Sequence, residues 1–350
     1  MFQLMVCFLL TNSSISAQIK GTYLIQTNER KVVGTPLSWD SNKLVLLSGY
    51  GQFDEVRLDD VKSYKKKSSS QLVYNRSSFS DSLKKEFGRR FSISQTKDYL
   101  VVHPQGQTDY WPKKIQYMFD AFQNYFNSRR ISIRKRVYPL VAIVFPKKSD
   151  MLAYAKKHGD RVSSNIVGYY SSNSNRILIY DRSGSGKMTE QNLETVIHEI
   201  AHQAAFNCGI HRRFSDTPGW VIEGLGMLFE AKGVHDSFRH TKRASRVHSS
   251  MLYFFRNHMG KRKWRNWVGP LVIGDKGYAK DTERFYASAW ALSFYLMETK
   301  PHDYVNYLKK TAKLPVFKTY TQKQRIADFE RAFGSMDRLE GAIKNYFSQL

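Results

Sequence analysis

Cysteine is nearly missing from this chain of 350 residues, where Cys7 and Cys208 are the only two. Cys7 lies in an apolar start, Met1 to Leu10, followed by polar Thr11 to Ser14 and by small Ser16 and Ala17. That pattern predicts a secretory signal over 1–17 with cleavage near Gln18, although no basic residue precedes the apolar run. A buried first strand is the competing reading of the same residues. Loss of the leader would leave Cys208 alone, which excludes an internal disulfide from the mature chain.

Long apolar runs are missing too. No later window approaches the ~20 apolar residues that span a bilayer, so the mature chain is expected to have no transmembrane helix. With an export signal, its expected place is secreted, periplasmic or in the cell envelope. Acid is scarce: 55 Lys and Arg face 30 Asp and Glu, a net charge of +25 at pH 7. The composition is otherwise ordinary, with 41% apolar and 24% charged residues. It excludes a disordered tail, a fibrous repeat and a polytopic membrane protein. The excess of base implies an acidic partner, for an exported chain an anionic cell-envelope polymer and not nucleic acid. A basic surface without a partner is the plainer alternative.

Short apolar runs broken by turn residues occupy 21–64, as in Lys31 to Gly34, Leu44 to Leu47 and Glu55 to Leu58. They predict a small antiparallel β domain over 18–70, barrel-like in the SH3 or Sm manner, with Lys65 to Ser70 as its solvated linker. A second region begins near Ser80, with a short helix over 83–87 and a strand over 99–102. Pro112 suits the first turn of a helix to about Arg129, apolar at Ile115, Met118, Phe119, Phe122 and Phe126. A buried strand over 137–145 and a short helix capped by Asp150 follow, then a strand over 176–180. From Glu190 the pattern turns helical: 190–207, 218–231, 244–258, 283–299 and two more. Strands first and helices afterwards predict an α+β class.

His198-Glu199-Ile200-Ala201-His202 carries the chemistry. Residues four apart share a helix face, so His198 and His202 can direct two imidazoles at one ion, with Glu199 offset towards a water beside it. Catalytic zinc needs a third protein ligand and an open position. Thr217 as N-cap and Pro218 behind it start a second helix that contains Glu223, a natural third ligand. The metzincin alternative fails, because Ala205 and Cys208 stand where it needs glycine and histidine. Glu230, two turns on, could accept an N–H from a ligand histidine. Cys208 reads as a buried hydrophobe.

The His-Glu-x-x-His pattern followed by Trp220-x-x-Glu223-Gly224-Leu225 resembles the gluzincins of the peptidase MA clan. It resembles in particular a family of secreted bacterial proteins with a peptidase-MA-like domain. Tyr286-Ala-Ser-Ala-Trp290-Ala-Leu292 is similar to a later helix of that family. The resemblance spans 80–350. It implies a zincin fold, a Zn2+ ion on His198, His202 and Glu223, and hydrolysis of a peptide or protein substrate with Glu199 as base. Tyr286 would donate to the oxyanion, with a core aromatic as its alternative role and Tyr278 as a substitute. Arg176 to Tyr180 is the expected edge strand for an extended substrate. A different class stays open: a non-catalytic secreted protein on an inactive zincin scaffold that binds anionic envelope polymer. The basic-aromatic run from Lys261 to Trp267 would suit such binding, or be a solvated loop anchored by tryptophans.

Overall fold

The computed structural model describes residues 21–106, 110–181, 190–261, 265–274 and 281–350. The expected leader 1–17, with Cys7 and Gln18, lies outside them, as does Tyr278. The chain forms two compact units. One is the described part of Met1–Gly88 with Val137–Pro139 and Asn173–Asn175; the other is Arg89–Arg136, Leu140–Ser172 and Arg176–Leu350. The class is α+β.

Five strands make the first unit: β1 (Thr22–Thr27), β2 (Lys31–Trp39), β3 (Lys43–Ser48), β4 (Phe53–Arg57) and β5 (Val61–Ser68). Their order is β4-β3-β2-β1-β5, and every ladder is antiparallel. Alternation buries Ile25, Val32, Leu46 and Val56 as one cluster. The turn before β3 closes through Asp40, whose carboxylate accepts from the Asn42 and Lys43 backbone N–H groups at 2.8 and 2.9 Å. Lys65 to Lys67 are not a linker: they belong to β5, with Lys65 opposite Leu24 and Lys66 opposite Tyr23. Their side chains are exposed on an edge strand, where lysine discourages pairing with another chain. Helix α1 runs Arg76–Phe87 and starts earlier than predicted, because Asn75 caps it by accepting from the Ser78 N–H.

The second unit is built on a mixed sheet of β6 (Phe91–Gln95), β7 (Tyr99–Pro104), β8 (Leu140–Phe145), β9 (Gly168–Ser171) and β10 (Arg176–Tyr180), in the order β6-β7-β8-β10-β9. β8 is parallel to β7 and β10 and buried throughout, which explains its unbroken apolar sequence. β10 is an interior strand, not the predicted edge; β9 holds the edge and pairs with it antiparallel. Helix α2 (Tyr110–Ser128) buries the predicted face, Ile115, Met118, Phe119, Phe122 and Phe126 included. Each such side chain contributes about 1.5–3 kcal/mol by burial. In α3 (Lys148–Lys157) Asp150 sits in the first turn, and the capping position is Lys147.

Helices complete the unit: α4 (Glu190–Asn207), α5 (Gly219–Glu230), α6 (Lys232–His235), α7 (Ser249–Lys261), α8 (Val268–Ile273), α9 (Thr282–Thr299), α10 (Pro301–Thr311), α11 (Gln322–Phe333) and α12 (Met336–Ser348). Three helices, not two, follow α9. Pro218 occupies the N-cap position of α5 and offers no side-chain bond; Thr217 Oγ1 instead lies 2.9 Å from Ser215 Oγ. The loop before α5 is pinned by Asp216, which takes Arg325 at 2.8 Å and the Tyr320 N–H at 2.8 Å. α5 lies deep in the core, with Trp220, Val221, Leu225, Leu228 and Phe229 buried. It approaches α9 closely because Gly224 lacks a side chain: a Cβ there would sit 2.5 Å from the Ala289 carbonyl oxygen.

Trp267 is fully buried at the start of α8. Buried Glu340 accepts from the backbone N–H groups of Asn266, Trp267 and Val268 at 2.8 Å each, a fitting place for a carboxylate at a helix start. The basic-aromatic run is thus anchored by its tryptophan; residues 262–264 of it lie outside the described residues. Among the described residues no helix is long and apolar enough to cross a membrane.

Candidate metal centre

α4 has the 3.6-residue period that stacks positions 198 and 202 on one face, and the two imidazoles stand 4.4 Å apart and nearly perpendicular. α5 brings Glu223 between them. Its Oε2 is 3.2 Å from His198 Nε2 and 3.4 Å from His202 Nε2. One donor atom from each residue lies within 4.8 Å of the others. Two imidazole nitrogens and one carboxylate oxygen form a donor set suited to zinc. Burial opposes ionisation of Glu223, but nearby His202 and the hydrogen bonds from both histidines hold its carboxyl far below the usual range.

The other nitrogen of His198 is occupied as well. Nδ1 donates to Glu230 Oε1 at 2.7 Å, and Glu230 Oε2 accepts from His248 Nε2 at 2.8 Å. Burial pushes the Glu230 carboxyl up, yet the bonds from His198 and His248 outweigh it and bring it down to about 2. For His198, burial favours the neutral ring, but Glu223 and Glu230 together raise its pKa well above the ordinary value in the metal-free chain. Glu223, Gly226 and Glu230 follow at spacings of three and four on α5, so one stripe faces the His198 ring. Gly226 leaves room for it: a Cβ there would lie 2.7 Å from His198 Cε1.

Glu199 is held from the sheet side, accepting the Tyr170 backbone N–H of β9 at 2.6 Å. Burial raises its pKa, and the Glu223 charge adds to this against the opposing pull of His198, His202 and the Tyr170 bond. A cavity of about 480 Å³ opens on this side, lined by Thr195, His198, Glu199, Glu230, Met251 and Tyr286 among others. The Tyr286 phenol is kept protonated by the Glu223 charge and then by burial.

The remaining histidines divide clearly. His211 is buried, both ring nitrogens lack a hydrogen bond among the described residues, and its ring meets Phe206 edge-on at 5.3 Å. His235 Nδ1 donates to the Phe229 carbonyl at 2.8 Å. Neither joins the three-donor group. Cys208 is buried, and burial pushes its thiol up to about 12. Sequence reasoning missed His248, which carries no spacing relation to the motif and reaches Glu230 only through the fold.

A protein-family profile described as "Protein of unknown function (DUF1570)" matches residues 192–317, the stretch that holds the donor group. No curated protein matches the chain. Among solved structures it is similar to an M1 zinc metallopeptidase from Deinococcus radiodurans, at 10% identity and TM-score 0.38 over 73% of this chain and 51% of that one. A point mutant of the Deinococcus enzyme gives TM-score 0.39 at the same identity and coverage. A two-domain M1 zinc metallopeptidase mutant bound to L-arginine gives 0.34 at 11% identity, over 74% and 51%. The chain spans about half the length of these structures.

Proposed function

We propose that the chain is a zinc-dependent peptide hydrolase of the gluzincin type. His198, His202 and Glu223 hold the metal, and Glu199 is the general base. One observation carries the reading: two imidazole nitrogens and one carboxylate oxygen converge within 4.8 Å beside a cavity that a half-buried second carboxylate, Glu199, also lines. A zinc ion held there supplies Lewis acidity to a scissile carbonyl and to water. Glu199 removes the proton as water attacks and returns it to the leaving amine. Its raised pKa suits a group that must both accept and give a proton. Tyr286, held in its protonated form, donates to the oxyanion. Edge strand β9 is the one available to an extended peptide, which would have to replace Glu199 as the partner of the Tyr170 N–H or pair beyond it.

The proposal includes the wider organisation. A leader over 1–17 exports the chain, 18–70 folds as a small barrel, and 80–350 is the zincin domain. The return of β5 to pair with β1 suits a barrel left open between β4 and β5.

Two measurements test the reading. Purified protein is expected to carry one zinc per chain. Glu199→Gln should keep that zinc and lose at least ~10²-fold in hydrolysis of an unstructured protein substrate. A variant with full turnover refutes Glu199 as base. The net charge of +25 favours a second reading, a non-catalytic binder of anionic envelope polymer on an inactive scaffold. That reading expects no stoichiometric zinc, and polymer binding that disappears near 1 M salt, where the Debye length falls to about 3 Å.

A further inference from the structure

We propose that His248 is a positioning residue of the metal site, fixing Glu230 and through it the ring of His198; this rests on the reading of His198 as a ligand. Glu230 divides its two oxygens between two histidines, Oε1 to His198 Nδ1 at 2.7 Å and Oε2 to His248 Nε2 at 2.8 Å. All three side chains are buried, 9–11% exposed. The terminal torsion of a glutamate is soft. With one partner the carboxylate could turn about it; with donors on both oxygens its plane is set.

An ionised carboxylate only accepts, so both histidines must present N–H to it. That assigns the proton of neutral His198 to Nδ1 and leaves its lone pair on Nε2, the atom turned towards Glu223 and His202. His248 itself is held in place. It sits immediately before α7, its carbonyl accepts the Leu252 N–H at 2.9 Å, and its ring lies 6.4 Å edge-on from buried Trp290 of α9. The aim of His198 therefore depends on where α7 begins, some fifty residues along the chain.

The test compares His248→Gln with His248→Met. The two side chains are similar in length, and only glutamine has an N–H at the position of Nε2. Zinc affinity is measured by competition with a chromophoric chelator, and the visible spectrum is taken after cobalt(II) replaces zinc. His248→Met should bind zinc about tenfold more weakly, the size of loss that such supporting groups give, and should shift the cobalt spectrum. His248→Gln should restore both. A His248→Met protein with wild-type affinity and spectrum overturns the proposal, even if its zinc-free form melts earlier, because that is the mark of packing alone. Failure of glutamine to restore what methionine loses overturns it also. Glu223→Ala serves as the control: if it leaves zinc affinity unchanged, the metal site itself is refuted, whereas an effect there without one at 248 refutes His248 alone.

Discussion

Gly226 offers the sharpest perturbation, since adding one methyl group there should separate metal binding from folding. It lies on the stripe of α5 that faces His198. A Cβ at this position would stand 2.7 Å from Cε1, 2.9 Å from Nε2 and 3.0 Å from Nδ1 of that ring. Carbon atoms settle at about 3.5 Å, so the ring or the helix must retreat by roughly 0.5–0.8 Å. The helix has little freedom, because Gly224, two residues earlier, already lies against the α9 backbone. The ring must therefore move. Metal–ligand distances hold to about 0.2 Å, so a retreat of that size takes Nε2 out of coordinating position.

Gly226→Ala is expected to weaken zinc binding by at least ~10-fold, or about 1.4 kcal/mol. Overpacking costs about 1–3 kcal/mol, while alanine for glycine within a helix returns about 1 kcal/mol. The zinc-free protein should thus lose only ~0–2 kcal/mol of stability. Gly224→Ala should do the reverse. Its added carbon meets the Ala289 carbonyl oxygen at 2.5 Å, main chain that cannot yield, so overpacking near ~3 kcal/mol, less the same ~1 kcal/mol, leaves the fold about 2 kcal/mol less stable. Chelator competition and urea unfolding of the zinc-free proteins measure both quantities. If Gly226→Ala binds zinc as the wild type does, His198 is not a ligand held against this helix face, and the reasoning fails.

Glu223→Ala should lower zinc affinity at least ~10-fold, while His211→Ala and His235→Ala leave it unchanged; dependence on either histidine without dependence on Glu223 would sink the ligand assignment. His211 should instead shape the acid response: burial first, then the nearby His202 charge, lower its pKa to about 3. A folded-state pKa below the unfolded 6.5 stabilises the protein fully above pH 6.5, and this is lost as pH falls towards 3. At ~1.4 kcal/mol per unit, about 2 kcal/mol is lost by pH 5. His211→Leu should remove that part of the difference between pH 7 and pH 5 in urea unfolding of the zinc-free chain, and an undiminished difference would show that the ring ionises freely in the fold.

The fold was legible wherever a local period and burial agree. The predicted bounds of α4 coincide with those observed, and α5 and α9 begin within one residue of them. β8 was found because a strand buried on both faces in a parallel setting needs no alternation. Errors arose where the deciding partner is remote. β10 looks the same in sequence at the edge or inside the sheet; the short aromatic strand β9, Gly168-Tyr-Tyr-Ser171, takes the edge from it. β6, Phe-Ser-Ile-Ser-Gln, was missed because its two apolar residues are too few to declare a strand. Lys65 to Lys67 carry no apolar residue at all, and their place in β5 is set by the backbone of β1. Thr217 is a good capping residue by type, yet the bond it makes to Ser215 lies outside the helix.

The candidate site divides in the same way. The three donors announce themselves because their geometry is local to two helices: a four-residue spacing on α4, and one carboxylate on α5. What supports them is less visible to different degrees. Glu223, Gly226 and Glu230 already stand in sequence at the spacing of a single helix face, so the clamp on both nitrogens of His198 was readable once α5 was assigned. Without the fold, however, Gly226 looks like any glycine in an apolar helix, since only the approach of α4 makes an added carbon collide. His248 carries no such pattern. Its contact with Glu230 depends on the course of the chain through α6 and the turn before α7, a matter of tertiary packing. On the proposed zinc reading, two of the three donors stand in a five-residue motif, while the contacts that fix them lie far from it in sequence. For that reason Gly226 and His248, not the motif, are the positions where substitution should tune zinc affinity without abolishing it.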